Sequence, residues 1–260
     1  RASDIAQGLS SRTVKDIKII LHASLEKAVD EGIIDKNPTD KLNMPKDRVR
    51  GMTTLTKEQS NRLLEEAFNS GCFEFYYLEL TTGLRLGEIL ALEWNDINFQ
   101  NKTLLITKQV QRINGVLQTE TPKTKNSVRT IAISSDCATA LARLKMRQPK
   151  GTKLMFPSPE TGTYRDQNAV TRKFKRMLRR AGLPQEIRFH DLRHTCATIA
   201  LEEGVEIKAL SSMLGHSDVA FTMNTYVHAT KKIKTSAADK MEAAFQIGYS
   251  AVMDIECKLK

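Results

Sequence analysis

The stretch "RFHDLRHTCATIALEEG", residues 188–204, contains two histidines and two arginines within its first seven residues. It then continues as an apolar pattern with helical spacing. Four of the five histidines of the chain lie in one window between residues 190 and 228, namely His190, His194, His216 and His228. A single histidine is usually an ordinary core or surface residue, whereas four of them near arginines indicate a functional site.

Composition limits the class of protein. At 260 residues, with 40% hydrophobic and 27% charged residues, the chain has the make-up of an ordinary globular protein with one large and one smaller domain. Its formal net charge of +10 favours a polyanionic partner such as nucleic acid. Charge alone makes this a reasonable hypothesis and says nothing about the fold.

The cysteines and the hydropathy pattern bear on the cellular compartment. Cys72, Cys137, Cys196 and Cys257 are widely spaced and form no C-x-x-C pair, which is typical of reduced thiols inside a cell. No apolar run approaches the ~18 residues that a membrane span requires. We therefore expect a cytoplasmic protein without a membrane segment. Because the first residue is Arg1 rather than methionine, we also expect a fragment of a longer chain.

The pattern along the chain is mostly helical and predicts two domains. An amphipathic helix is predicted over residues 14–28, with Gly32 at the position of a C-cap. Thr56 and Gln59 have the spacing of a capping box at the start of a later amphipathic helix that contains Phe68 on its apolar face. The predicted organisation is a partial helical domain, a basic linker, a larger domain and a tail, over residues 1–44, 45–53, 54–234 and 235–260.

Residues 101–134 have a sequence pattern typical of β-strands, unlike the helical pattern of the rest of the chain. Strand-like runs flank Asn114-Gly115, a strong signal for a β-hairpin, and "VRTIAI" supplies a third strand of one small antiparallel sheet. Helices are predicted again afterwards, including a basic amphipathic helix over residues 167–181 and another from Asp191 to Glu203. The expected fold is mainly α with a small antiparallel β-sheet, an α+β architecture.

His190 and Arg193 of the opening stretch could bind one small anion together. His190 is predicted to lie just before the first turn of the helix from Asp191, and Arg193 falls on a neighbouring face. His216 directly follows the glycine that ends "IKALSSML", and Tyr226 lies ten residues further on. Each residue alone has an ordinary explanation, such as a helix cap, an ion-pair partner or a core-edge tyrosine. The prediction of a site therefore depends on their joint arrangement.

Five motifs occur together in one order along the chain: "TGLRLGEIL", "PKTKNSVRTIAI", "HDLRH", "LGHS" and "NTYVH". In this order and rough spacing they resemble the tyrosine recombinases, the phage-integrase family, and in particular the integrases of conjugative transposons and temperate phages. The resemblance covers nearly the whole chain, since "SSRTVKDIKIILHASLEKAVDEGIIDKNP" is similar to the second half of that family's core-binding domain. It implies that residues 1–44 are a partial helical core-binding domain that binds DNA and that residues 54–234 are the catalytic domain. The first helices of the core-binding domain and an arm-binding domain find no match, as expected of a truncated chain.

The resemblance implies a catalytic set composed of Arg85, Lys123, His190, Arg193, His216 and Tyr226. Tyr226 would be the nucleophile, Lys123 the general acid for the departing 5′ oxygen, and Glu88 a buried structural partner. Lys123 would lie in a hairpin turn ahead of the "VRTIAI" strand. Lys125 competes for the same role, because hairpin registers are poorly determined by sequence.

These residue types suit phosphodiester exchange. Permanently charged Arg85 and Arg193 can hold the nonbridging oxygens, and the histidines titrate close to neutrality. The phenol of Tyr226 becomes a useful nucleophile only where cations favour its phenolate. The product would be a 3′-phosphotyrosyl link that preserves the energy needed for rejoining. We therefore predict an enzyme, a site-specific DNA recombinase that integrates or excises a mobile element such as a transposon, with no metal and no cofactor.

The resemblance also implies partners and alternatives. The substrate would be double-stranded DNA at recombination sites in the bacterial cytoplasm, bound by a homo-oligomer that is expected to be a tetramer, with accessory DNA-bending or excision factors. Residues predicted to contact DNA are Arg12, Lys15, Lys46, Arg48, Lys125, Arg172, Lys173 and Arg176. The tail is expected to pack on a neighbouring protomer or on its own domain. The alternatives are a type IB topoisomerase-like strand transferase and a catalytically silent DNA-binding regulator.

Overall fold

The structure is a computed structural model, and it describes residues 9–45, 53–121 and 128–215. Contacts within the chain divide it into two units, Arg1–Gly51 and Met52–Lys260, and each is described by itself. The described residues are mostly helical with small antiparallel sheets, so the predicted fold class is confirmed. None of the helices in this part of the chain is both long and apolar enough to cross a membrane.

The first unit is built on helix α1, Ser11–Asp30, which contains the helix predicted over residues 14–28. Gly32 follows its end with a φ of +69°, a conformation that glycine adopts without strain. The predicted inward face is not buried, because Ile17 is 43% and Leu21 is 49% exposed. Helical spacing therefore predicted the element correctly, but α1 buries none of its residues within this unit.

A hydrogen-bonded network fixes the segment that follows α1. Asn37 and Thr39 are buried, and Thr39 Oγ1 donates to Asn37 Oδ1 at 2.6 Å. The same Thr39 oxygen lies 2.9 Å from His22 Nδ1, and Asn37 Nδ2 donates to the His22 carbonyl at 3.1 Å. The buried polar groups of this turn are thereby satisfied, and the turn is tied to the middle of α1.

The second unit begins with three helices: α2, Lys57–Asn69; α3, Phe73–Thr82; and α4, Leu86–Ala91. The predicted capping box is present, with Thr56 Oγ1 accepting from the Gln59 amide at 3.2 Å and Gln59 Oε1 accepting from the Thr56 amide at 2.9 Å. Phe68 is 73% exposed, against expectation, and its ring meets the Phe73 ring edge-on at 6.4 Å. This last turn of α2 therefore lies at the surface.

Five strands follow, and they form two sheets where the sequence predicted one. Their bounds are β1, Ile97–Asn98; β2, Thr103–Ile106; β3, Gln109–Ile113; β4, Val116–Glu120; and β5, Arg129–Ala132. Asn114 and Gly115 join β3 to β4 with φ values of +49° and +83°, so the predicted hairpin is confirmed. The "VRTIAI" strand instead pairs with β2 and places Ile131 opposite Leu104, which buries both side chains in the core.

Four further helices complete the described part of this unit: α5, Ser135–Arg147; α6, Gln167–Arg180; α7, Phe189–Glu202; and α8, Ile207–Leu214. The apolar face predicted for α6 is buried, and it consists of Val170, Phe174, Met177 and Leu178. Helix α7 begins two residues earlier than predicted, so His190 lies within its first turn rather than ahead of it. Gly204 follows α7 with a φ of +82°, as expected at a helix end.

Aromatic rings join three of these helices at the centre of the core. Tyr76 of α3 stacks on Phe174 of α6 with ring centroids 5.9 Å apart. Phe189, the first residue of α7, lies 5.7 Å from Phe174 and 5.8 Å from Phe75. Because a buried ring anchors the first residue of α7, the polar residues that follow it are held in a defined position.

The described cysteines belong to the same core. Cys72, Cys137 and Cys196 are buried and free. Burial raises the pKa of the Cys137 thiol to about 11 and that of the Cys196 thiol to about 12. Both groups therefore remain protonated thiols near neutral pH and behave as small apolar side chains.

Candidate active site

Arg85 occupies the position just before the first turn of α4, and its side chain is 36% exposed. Its Nη1 donates to Glu88 Oε1 at 2.8 Å, and its backbone amide donates to Glu88 Oε2 at 2.9 Å. This arrangement satisfies an N-terminal amide of α4 and anchors the guanidinium at the helix start. The planar fork of Arg85 is therefore held in place while part of it remains open to solvent.

Glu88 is the centre of this cluster, with a side chain only 1% exposed. Besides Arg85 it binds Arg129, whose Nη1 donates to Oε1 at 3.1 Å and whose Nη2 donates to Oε2 at 3.0 Å. Burial raises the pKa of the Glu88 carboxyl, but the hydrogen bonds and charge of Arg129 outweigh burial and the pKa is lowered. Glu88 is thus a buried carboxylate that holds two guanidinium groups, as the sequence predicts for a structural partner.

Arg129 is a site residue that the sequence analysis did not identify. It begins β5, is buried, and shares an inward face with Ile131. Its Nε donates to the Met213 carbonyl at 2.7 Å, near the end of α8. A signal was present, because the alternation of "VRTIAI" places an arginine in register with buried isoleucines, and such a charge requires a buried partner.

Gly215 ends α8 close to this cluster. Its φ is +68°, and a Cβ at this position would lie 3.0 Å from Arg129 Nη1. Glycine is therefore required both by backbone conformation and by the approach of the arginine. His216, the predicted site residue that follows, lies outside the described residues. Gly215, the last residue described before it, lies beside Arg129.

Arg193 is the most deeply buried of the predicted catalytic residues that the structure describes, at 2% exposure. From α7, its Nη1 donates to the Gly83 carbonyl at 2.7 Å and its Nη2 donates to the Leu214 carbonyl at 2.6 Å. Both acceptors lie at helix ends, where carbonyl groups need donors. Burial, and next the charge of Arg85, lower the pKa of Arg193 to about 10, so the guanidinium is charged at neutral pH.

His190 lies near both arginines. Partial desolvation of its ring, and next the charges of Arg193 and other neighbours including Arg85, lower its pKa below the usual value. The ring of His194 lies 5.0 Å away and perpendicular to it. Burial, and next the interaction with His190, lower the pKa of His194 to about 4. Both imidazoles are therefore neutral at neutral pH, and His190 is able to accept a proton.

The structure thus brings together three of the six predicted catalytic residues, Arg85, His190 and Arg193, around the ends of α3, α4 and α8. Lys123, His216 and Tyr226 lie outside the described residues, as do Lys46, Arg48, Lys125 and the tail 235–260. The strands on either side of Lys123 belong to different sheets, so the segment does not join two paired strands as the hairpin prediction required. Which of Lys123 and Lys125 takes part stays a prediction.

The basic residues predicted to contact DNA fall on both units. Arg172 and Arg176 of α6 are exposed, and Lys173 donates to the Ser70 carbonyl at 3.3 Å. Lys173 and Arg176 line a cavity of about 390 Å³ together with Arg165. In the first unit, Arg12 pairs with Asp16 at 3.1 Å on the surface of α1, and Lys15 lies on the same helix.

One cluster among the described residues has ligand atoms close enough together to hold a metal ion. His22, Glu26 and Asp40 of the first unit each offer an atom within 4.8 Å of the others. His22 and Glu26 already belong to the hydrogen-bonded network around Asn37, whose Nδ2 donates to Glu26 Oε2 at 2.5 Å, and Asp40 Oδ1 lies 3.6 Å from His22 Nδ1. The cluster has a structural explanation and belongs to a different unit from the arginines.

Comparisons with known proteins agree with the fold. The model of the phage integrase family matches residues 53–232. The chain is 32% identical to a tyrosine recombinase XerC-like protein of Caldanaerobacter subterraneus subsp. tengcongensis, over 92% of this chain and 68% of that protein. It is 29% identical to the ICEBs1 integrase of Bacillus subtilis, over 90% of this chain and 66% of that protein. The transposase from transposon Tn916 of Enterococcus faecalis is also 29% identical, with coverages of 86% and 60%.

Solved structures give the same result. The Tn1549 transposon integrase in complex with transposon right end DNA is 25% identical, with a TM-score of 0.77 over 90% of this chain and 80% of that chain. A lambda integrase tetramer bound to a Holliday junction is 24% identical, with a TM-score of 0.59 over 80% of this chain and 59% of that chain, and this likeness concerns the fold alone.

The fold and these matches define the class of protein as a tyrosine recombinase. The chain belongs to the phage integrase family. The family predicted from the five motifs is therefore confirmed, and the topoisomerase and regulator alternatives are not favoured. The chain spans about two thirds or less of the length of these relatives.

Proposed function

We propose that this protein is a site-specific DNA recombinase of a mobile element that cleaves and rejoins DNA through a 3′-phosphotyrosyl intermediate. The observation that carries the proposal is the convergence of Arg85 and Arg193, which are anchored by different partners and act electrostatically on each other. Glu88 pairs with both Arg85 and Arg129, so one carboxylate is shared by two guanidinium groups. With Arg193 nearby, the cluster keeps positive charge that favours a further anion. A phosphodiester group supplies that anion.

The chemistry follows from this charge distribution. The phenolic oxygen of Tyr226 attacks the scissile phosphorus, a bond forms between them, and the bond from phosphorus to the 5′ oxygen breaks. Lys123 gives a proton to the departing 5′ oxygen. Arg85 and Arg193 stabilise the negative charge on the nonbridging oxygens in the pentavalent transition state. Because guanidinium groups supply this charge, the step requires no metal ion and no cofactor.

His190 and His216 would assist the proton transfers. The lowered pKa of His190 keeps its imidazole neutral near pH 7, so it can accept the phenolic proton of Tyr226 as the phosphorus bond forms. His216 would donate a hydrogen bond to a nonbridging oxygen. The attack of a 5′ hydroxyl on the phosphotyrosine reverses the same steps and rejoins the strand.

Double-stranded DNA is the proposed substrate, and a homotetramer on DNA is the proposed assembly. The net charge of +10 and the exposed arginines of α6 support a DNA partner. The Tn1549 transposon integrase supports the DNA partner further, since that protein was solved in complex with transposon right end DNA. The basic residues of α1, α6, the linker and Lys125 would contact the DNA backbone, and the tail 235–260 would link protomers.

The decisive experiment replaces Tyr226 by phenylalanine. Tyr226→Phe removes one oxygen and keeps every positive charge, so affinity for a recombination-site duplex should stay within about twofold of wild type, with the same salt dependence. The wild type should form a denaturant-resistant adduct on the 3′ phosphate of a nicked suicide duplex, in EDTA, with release of a free 5′ hydroxyl. The variant should form none.

Tyr164→Phe is the matched control, because Tyr164 is a half-buried tyrosine of the same unit and should leave adduct formation unchanged. An adduct that persists in Tyr226→Phe, a linkage to the 5′ phosphate, or a strict requirement for magnesium would each contradict the proposal. Relaxation of plasmids that lack any recombination site would favour topoisomerase activity instead.

The choice between Lys123 and Lys125 has its own test. Replacing the general acid by alanine should slow cleavage by ~10²–10⁴-fold on an ordinary duplex. A 5′-bridging phosphorothiolate leaves without protonation and should restore the rate of that variant alone. Rescue of Lys123→Ala supports the proposed role, whereas rescue of Lys125→Ala assigns it two residues further along.

A further inference from the structure

Glu79 of α3 is a buried acid that the proposed mechanism does not use. Its exposure is 0%, and neither of its carboxyl oxygens has a hydrogen-bond partner among the described residues. Such groups are rare in native proteins, because the hydrogen bonds lost with water are not replaced. An acid retained in this position requires a physical explanation.

The position of Glu79 connects it to Arg193. The Glu79 carbonyl accepts the Gly83 amide at 2.8 Å, and the Gly83 carbonyl in turn accepts Arg193 Nη1 at 2.7 Å. Arg193 and Glu88 both act electrostatically on the Glu79 carboxyl, from α7 and α4. The Glu79 carboxyl also interacts electrostatically with the Cys196 thiol of α7 and with the Tyr76 phenol of its own helix.

The surroundings of Glu79 favour the neutral acid. Burial raises its pKa well above the usual value, the charge of Arg193 opposes this shift, and the charge of Glu88 adds to it. The geometry agrees, because an ionised Glu79 would attract a charge-assisted hydrogen bond from Arg193. The guanidinium instead donates to the carbonyls of Gly83 and Leu214.

We propose that Glu79 is a positioning residue that acts through Arg193. As an uncharged carboxylic acid it leaves the guanidinium charge of Arg193 available to the scissile phosphate. As a carboxylate it would neutralise that charge and weaken the hold on the transition state. The inference rests on the proposed function and adds to it an upper pH limit for cleavage, which is set by the ionisation of Glu79.

The first arm of the test measures the proton itself, without DNA. Between the pKa of Glu79 in the unfolded chain, near 4.5, and its raised value in the fold, only the folded state holds this proton. Wild-type stability should therefore fall as pH rises. Relative to Glu79→Gln, the unfolding equilibrium constant should increase up to about tenfold per pH unit and then level off. The pH at which the curve levels marks the ionisation of Glu79 in the fold.

The second arm measures single-turnover adduct formation on the nicked suicide duplex across the same pH range. Below the pH marked by the first arm, wild type and Glu79→Gln should cleave at rates within about threefold of each other. Above the pH marked by the first arm, the wild-type rate should fall at least about tenfold relative to the variant, because Arg193 loses its effective charge. A second variant, Glu79→Met, should show the same pH dependence of cleavage as Glu79→Gln. It serves as a check in case the glutamine variant folds poorly.

Glu186→Gln is the matched control, because Glu186 is exposed, and it should follow the wild type in both arms. A stability difference that does not change between pH 5 and pH 8 would overturn the inference, because Glu79 would then hold no raised proton. A strong loss of cleavage below the marked pH in both Glu79 variants would overturn it as well. So would a cleavage ratio that stays constant through the marked pH. A wild type that forms no adduct at any pH would instead overturn the proposed function. The stability measurement needs no DNA, so it would still report the proton of Glu79 in that case.

Discussion

Glu79 and Glu88 are both buried in the second unit, nine residues apart in the sequence, and their carboxyl groups have opposite surroundings. Glu88 accepts four hydrogen bonds from Arg85 and Arg129. Glu79 accepts none from the described residues. The pKa of Glu88 is lowered by its partners in spite of burial, whereas burial raises that of Glu79.

The difference teaches that depth of burial does not decide the charge of an acid in this site. Direct hydrogen-bond donors decide it, because the hydrogen bonds from one guanidinium group can outweigh the free-energy cost of removing the carboxylate from water. The charge of Arg193 lies close enough to oppose the rise in the pKa of Glu79, but its Nη1 and Nη2 groups donate hydrogen bonds to backbone carbonyls. One acid therefore anchors cations while the other leaves a cation free to act elsewhere.

The largest effect is expected from Glu88→Gln. The amide keeps the shape of the side chain but removes the carboxylate that pairs with the buried Arg129, and loss of one partner of a buried pair typically costs about 3–5 kcal/mol. Urea unfolding followed by circular dichroism measures this change in the free energy of unfolding. Glu186→Gln at the surface is the control, and a loss below about 1 kcal/mol would show that the cluster does not hold the site together.

Arg129→Met should destabilise the protein somewhat less, by about 2–3 kcal/mol, since Glu88 still keeps its bonds to Arg85. The bond to the Met213 carbonyl is lost as well, so the end of α8 should exchange its amide hydrogens faster. Hydrogen exchange and urea unfolding measure the two effects. Arg179→Met, at an exposed position of α6, should change neither, and protection of α8 equal to wild type would argue against the connection.

The pH dependence of stability should separate the two acids by sign. The pKa of Glu88 is lowered in the fold, so below about pH 4.5 the unfolded chain binds a proton that the folded chain does not. Wild-type stability should therefore fall with falling pH by up to about 1.4 kcal/mol per pH unit relative to Glu88→Gln. Glu79 contributes the opposite slope above pH 4.5. Parallel curves for wild type and Glu88→Gln under acid conditions would contradict an ionised Glu88.

The smallest effect is expected from Glu79→Met at pH 6. Methionine fills a similar volume without an unpaired polar group, so the variant should be as stable as wild type or more stable by about 1 kcal/mol. Thermal unfolding under identical buffer conditions measures the difference. A loss of more than about 2 kcal/mol would mean that Glu79 makes a stabilising polar contact and that the contrast with Glu88 is mistaken.

Sequence spacing predicted the local elements well. The capping box at Thr56, the turn at Asn114-Gly115 and the buried face of α6 each depend on residues a few positions apart, whose hydrogen bonds and periodicity can be read directly. Five ordered motifs also sufficed for the family. The predictions that failed concern longer range, because neither the exposure of Ile17 nor the two-sheet arrangement follows from local pattern.

The sequence by itself therefore determined the helices, the hairpin, the family and the candidate site residues, including Arg85, His190 and Arg193. Only the tertiary structure decided how those residues are held. Arg129 reaches Glu88 across 41 residues, and Arg193 reaches Gly83 across 110. Such contacts arise when strands and helices distant in sequence pack against each other, and the surroundings they create set the charge of each buried acid. The family resemblance implied a buried structural role for Glu88, but no local pattern predicted that Glu79, nine residues earlier, is buried without a donor among the described residues.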